Sequence, residues 1–180
     1  KTKEEFAENL KYARQYLELS QQKIADRLKI ERSTYAYYET GKTEMSVFHL
    51  IELENIFDVY IEDLIAKEIN IKLRLLKKDG EKTKFVAQGR GIKRTYVKNK
   101  KELAENLKFF RTNAGLTQGK IAKELFIDRT TYAYYETEKT TPKPLMLIKI
   151  ANLLDVKFYE LISRKELVLS DMCSKKIPIW

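Results

Sequence analysis

The sequence predicts a mainly α-helical protein: two tandem copies of one five-helix unit, joined by a basic linker that carries a β-hairpin. Three observations predict it. The segment ERSTYAYYETGKT at 31–43 returns as DRTTYAYYETEKT at 128–140, and sliding Glu5–Ile65 onto Glu102–Ile162 needs no gap. About half of those positions are identical, and such self-similarity at a fixed offset marks a duplicated structural unit. Within each copy, cap residues alternate with apolar residues at helical spacing. Between the copies the apolar residues alternate with a period of two, the spacing of a strand.

The first helix of each copy opens on a capping-box spacing, Thr2 with Glu5 and Asn99 with Glu102. It runs to about Tyr16 in the first copy. Phe6, Leu10, Ala13 and Leu17 line one face, and Leu103, Leu107, Phe110 and Ala114 are their counterparts. Ser20 and Thr117 are N-caps for a second helix carrying Ile24, Ala25 and Leu28, or Ile121, Ala122 and Leu125. A break at Lys29–Ile30 leads to a third helix over about Arg32–Thr40, for whose counterpart Asp128 is the better cap and Glu31 the weaker one. Gly41 suits a left-handed helix end, whereas Glu138 holds that place in the second copy. A fourth helix spans about Ser46–Phe57, preceded in the second copy by a loop marked by Pro142 and Pro144, and a short fifth covers Ile61–Ile65.

The domains are therefore 1–67 and 100–163, with a linker at 68–99 and a tail at 164–180. In the linker, Ile69, Ile71, Leu73 and Leu75 alternate with polar residues, and Asp79-Gly80 is a hairpin turn signal before Lys84-Phe85-Val86-Ala87. A helix continuing from Ile65 is the competing reading. GRGIKRTYVK follows as a flexible connector. The tail holds Leu167-Val168-Leu169 and ends in Ile177-Pro178-Ile179-Trp180, an apolar end that favours docking.

Charge bounds the partners. The net charge is +9, but residues 1–67 carry ten Lys/Arg against thirteen Asp/Glu while residues 68–101 carry twelve against three. The basic surplus lies between the repeats, which favours a polyanion there. No apolar run has the length of a membrane span, and no signal-peptide pattern opens the chain, so a cytoplasmic location is expected. Cys173 is the one cysteine, which excludes an intrachain disulfide and reads as a free thiol. An enzyme is not expected. His49 is the single histidine and aligns with Met146 at a packing position, and no metal cluster, phosphate loop or nucleophile motif is present. No catalytic residue, metal or cofactor is therefore assigned.

What the copies share most strictly is the third helix. A short helix entering the major groove of DNA must offer small or fork-shaped polar side chains from its first turns. Arg32, Ser33, Thr34 and Tyr37 lie on one face, as do Arg129, Thr130, Thr131 and Tyr134, while Tyr35, Tyr38, Tyr132 and Tyr135 turn toward the core. Either arginine suits bidentate pairing to guanine; the bland alternative is a phosphate contact without sequence information. Lys42-Thr43 and Lys139-Thr140 follow the helix as phosphate clamps, or as plain solvated surface. Arg90, Lys93, Arg94 and Lys98 in the connector suit phosphates or a minor groove.

These residues resemble the lambda-repressor-like, Xre/Cro-type helix-turn-helix family, over about 4–66 and again 101–163. Five short helices, Gln opening helix two, Arg in helix one and Glu ending helix three carry the resemblance. It implies that Gln21 and Gln118 contact the sugar-phosphate backbone. It also implies structural ion pairs, Arg14 with Glu39 and Arg111 with Glu136. Double-stranded DNA is the expected partner, bound as two similar half-sites about one turn, ~34–36 Å, apart. Ten connector residues from Gly89 to Lys98 reach ~33–36 Å, which permits adjacent half-sites. A homodimer through the hairpin or tail stays open. So does a protein-binding regulator on the same fold, such as an antitoxin or a phage-encoded inhibitor of a host defence protein. The role the resemblance implies is that of a repressor in the cytoplasm of a bacterium or a phage-infected cell.

Overall fold

The structure is a computed structural model that describes residues 3–65 and 94–164. The described residues fall into two compact units. The first holds α1 (Lys3–Tyr16), α2 (Gln21–Leu28), α3 (Arg32–Glu39), α4 (Val47–Phe57) and α5 (Ile61–Ile65). The second is built on α6 (Lys100–Asn113), α7 (Gln118–Glu124), α8 (Arg129–Glu136), α9 (Pro144–Leu153) and α10 (Phe158–Leu161). The five-helix order expected in each copy is thus observed twice. The expected hairpin over 69–87 lies outside the described residues and gains no support. Thr2, Cys173 and the apolar tail lie outside them too.

Capping residues set the starts of the helices. Ser20 Oγ accepts the Lys23 N–H at 3.1 Å and Thr117 Oγ1 accepts that of Lys120 at 3.2 Å, satisfying donors the first helical turn cannot pair. Ser46 does the same for His49. Asn99 accepts from Glu102 N at 3.0 Å, but the Glu102 carboxylate reaches back one residue further, to Lys98 N. One expectation fails here: neither Asp128 nor Glu31 makes a side-chain cap bond. Both still place a negative charge at a helix start, where the dipole favours it.

The turns repeat as closely as the helices. Left-handed residues stand at Glu18, Lys29, Gly41 and Asp58, and at the matching Gly115, Phe126, Glu138 and Asp155. Gly41 therefore closes α3 as its residue type implies, and Glu138 takes the same conformation despite its Cβ. The backbone path is a property of the unit, not of where glycine happens to fall.

Each core forms where the amphipathic faces converge. Leu10, Ala13, Ile24, Ala25, Tyr35, Leu50, Leu53 and Leu64 are buried in the first unit, and Leu107, Ile121, Tyr132, Leu147, Ile150 and Leu161 in the second. Burying one such aliphatic or aromatic side chain is worth about 1.5–3 kcal/mol. The first-helix stripe is one residue shorter than its periodicity suggested. Leu17 follows the end of α1 and is half-buried, and Ala114 is an exposed cap residue.

Among the buried polar residues that were not foreseen is a matched pair of asparagines. Asn9 donates Nδ2–H to Leu64 O at 2.9 Å, and the matching Asn106 donates to Leu161 O at 3.0 Å and Ser163 O at 2.6 Å. They tie the first helix of each unit to its last, supplying donors to carbonyls that the ends of α5 and α10 leave without helical partners. An Asn within an apolar stripe at the same place in both copies was the available signal.

The last part of the expected flexible connector is ordered. Val97 N donates to Ile162 O and Arg164 N to Thr95 O, each at 2.9 Å, around an antiparallel bridge between Tyr96 and Ser163. Val97 is buried, and this fixes the segment onto the second unit. Arg164 also pairs with Glu102 at 3.0 Å. That partner, then the Lys98 N–H, holds the Glu102 carboxyl below the ordinary carboxylate range.

Candidate nucleic-acid interface

In each unit two helices meet across a short turn, and a buried network sets their relation. Arg14 reaches from the last turn of α1 to Glu39 at the end of α3, with Nε–Oε1 at 2.5 Å and Nη2–Oε2 at 3.0 Å. Its Nη1 caps Leu19 O at 3.0 Å. Gln21, the first residue of α2, donates Nε2–H to Glu39 Oε2 at 2.8 Å. The second unit reproduces the set. Arg111 meets Glu136 at 2.5 and 2.9 Å and Leu116 O at 2.7 Å, and Gln118 meets Glu136 at 2.8 Å. Glu39 and Glu136 thus lock the start of helix two to the end of helix three.

The two carboxylates are almost fully enclosed, and the arginine side chains are 14% and 11% exposed. Hydrogen bonding to the glutamate raises the Arg14 and Arg111 pKa values above their ordinary value, against the opposing effect of burial. Burial, and then the glutamate charge, also pushes up the Tyr35 and Tyr132 phenols.

The network sharpens the reading of the two glutamines, which the family resemblance gave to DNA phosphates. One amide hydrogen of each is committed to a glutamate. An amide nitrogen carries two, so this bond leaves each Gln amide one further hydrogen.

The expected reading face is solvent-facing in both units. Arg32, Ser33, Arg129 and Thr130 are exposed, and Thr34 and Thr131 are half-buried one position further along. Tyr35, Tyr38 and Tyr132 turn into the core as expected, while Tyr135 is only half-buried. Tyr37 is 47% and Tyr134 38% exposed. Each carries a lysine over its ring, Lys42 Nζ at 5.4 Å and Lys139 Nζ at 4.8 Å. The next residues, Thr43 and Thr140, donate backbone N–H to Tyr37 O and Tyr134 O at 3.3 Å. A tyrosine, a lysine and a threonine therefore gather at the far end of each exposed helix. A cation held over a ring face is partly ordered before any ligand arrives.

Of the connector residues, Arg90 and Lys93 lie outside the described residues. Arg94 is placed, with its guanidinium stacked 4.2 Å from the Tyr159 ring centre on the second unit. Lys98 is exposed. His49 packs as expected, its Nδ1 3.2 Å from the Tyr38 hydroxyl. Among the described residues no group of His, Cys, Asp and Glu is placed to hold a metal ion, and no helix is long and apolar enough to cross a membrane.

A helix whose N-terminus is locked by a buried network, followed by a tight turn and a second helix with an exposed polar face, defines a class. It is the helix-turn-helix domain, present here twice. Family profiles described as helix-turn-helix match residues 10–64 and 104–167, one per unit, which upholds the resemblance read from the sequence. Among curated proteins, the chain is 43% identical over 68 residues to the uncharacterized HTH-type transcriptional regulator YqaE of Bacillus subtilis (strain 168). That stretch is 38% of this chain and 59% of the relative, so the chain spans under two thirds of the protein it matches. A solved structure, the hypothetical transcription factor NHTF from Neisseria, is 28% identical over 42% of this chain and 86% of its own, with a TM-score of 0.39.

Proposed function

We propose that this chain is a sequence-specific transcriptional regulator, acting as a repressor, that binds double-stranded DNA with both units and reads two similar half-sites. One observation carries the proposal. The same exposed set, Arg32, Ser33, Thr34 and Tyr37 in α3 and Arg129, Thr130, Thr131 and Tyr134 in α8, stands on the same Arg–Glu–Gln lock in both units. Rigid support matters because a base-reading side chain must arrive within a few tenths of an ångström of its hydrogen-bond geometry. The relative named as a transcriptional regulator supports the same reading.

In this account Arg32 and Arg129 pair with base edges, Ser33, Thr34, Thr130 and Thr131 reach bases or phosphates, and Tyr37 and Tyr134 flank the groove. Gln21, Lys42 and Thr43, with Gln118, Lys139 and Thr140, hold phosphates. Such contacts set register, and the base contacts set sequence.

Selection from random duplex DNA at two salt concentrations tests it. Enrichment of two similar half-sites about one helical turn apart is expected. Weak, sequence-blind binding that vanishes with salt would overturn it, in favour of a regulator that binds protein through the acidic first unit.

A further inference from the structure

The two units share a backbone and a reading face but not a charge. Over the matched spans 3–65 and 100–162, the first carries eight Lys/Arg against thirteen Asp/Glu and the second eleven against eight, a net of −5 against +3. Several of the exchanges fall on exposed positions: Glu4 against Lys101, Asp26 against Lys123, and Glu52 against Lys149.

The second helix differs in a way that reaches the reading face. In the second unit, Gly119 leaves the first turn of α7 bare, and the Arg129 Cδ lies 4.0 Å from where a Cβ would stand. The aliphatic stem of the reading arginine thus has helix two as a floor. In the first unit the matching residue is Gln22, whose amide is bonded to Asp26 at 2.7 Å. There a side chain and a carboxylate occupy the surface that in the other unit is bare backbone and a lysine.

We propose that the two heads are unequal on DNA: the second unit anchors the chain electrostatically, and the first adds sequence discrimination only as its tethered companion. The inference rests on the DNA-binding reading above. Sequence-independent affinity grows with the number of cations set against phosphates, each contributing about 0.9 to the slope of log K against log salt. A unit of net −5 gains little from that source. Tethering removes the need, because the bound second unit holds the first at high local concentration.

A matched pair of lysines in the full chain tests this. Lys23→Ala and Lys120→Ala remove equivalent exposed lysines from the first and second units. Each protein is titrated by fluorescence anisotropy against a random-sequence duplex over a range of salt. The second-unit variant is expected to lose about one contact's worth of salt slope, ~0.9, and the first-unit variant under a quarter of that. In addition, Asp26→Lys is expected to raise low-salt affinity several-fold, while a charge-neutral Asp26→Asn gives a smaller rise. Equal slope losses from the Lys23 and Lys120 variants would overturn the inference and leave the DNA-binding reading standing. Absence of duplex binding by the unaltered chain at low salt would overturn both.

Discussion

Arg14 grips Glu39 with two bonds, Nε to Oε1 at 2.5 Å and Nη2 to Oε2 at 3.0 Å, and so joins the end of α1 to the end of α3. The glutamate is enclosed, with its side chain 2% exposed. Removing one member leaves the other's charge in a poorly solvated place, which is costlier than removing both. Arg14→Met is expected to lower stability by about 3 kcal/mol, and Arg14→Met with Glu39→Met by clearly less. Urea titrations of the single and double variants measure this. Equal losses would mean that the pair acts by packing alone.

Asn106 bridges Leu161 O and Ser163 O from inside the second unit. Asn106→Ala is expected to cost about 2 kcal/mol, since two buried carbonyls lose their donor. Thermal unfolding reads the change. A midpoint equal to that of the unaltered chain would show that those carbonyls find other partners.

Tyr35 and Tyr132 set an alkaline limit. Their phenols are raised above the ordinary value of 10.0, by burial first and then by the neighbouring glutamate charge. The folded state therefore holds these protons more tightly than the unfolded chain does. The contribution is fully present below about pH 10 and is lost as pH rises past it, because unfolding then releases the protons. Tyr35→Phe with Tyr132→Phe is expected to flatten the fall in stability above pH 10. An unchanged pH profile between 9 and 11, followed by circular dichroism, would contradict this.

The parts legible in the sequence were those with a local cause. Ser20 and Thr117 announce helix starts, the period of Phe6, Leu10 and Ala13 gives a buried face, and the repeat doubles every signal. What was not legible depends on distant partners. Nothing local tells that Asn9 will meet Leu64, or that Gln21 will bond Glu39. Gly41 advertises a left-handed turn, but Lys29, Phe126 and Asp58 adopt one with no glycine to announce it. Asp128 has the residue type and extended backbone of a cap without the bond. The ordering of Thr95–Val97 rests on Ile162 and Arg164, some 65 residues further along, so the connector's own composition gave no hint of it.

The most direct test of the central claim compares the unaltered chain with Arg32→Ala, Arg129→Ala and the double variant. Each is titrated against the duplex enriched by selection and against a scrambled duplex. Each single change is expected to cost about 1–3 kcal/mol of discrimination, and the double variant to bind both duplexes alike, with an affinity that falls steeply with salt. Undiminished preference of the double variant for the selected duplex would contradict the assignment of α3 and α8 as the readers.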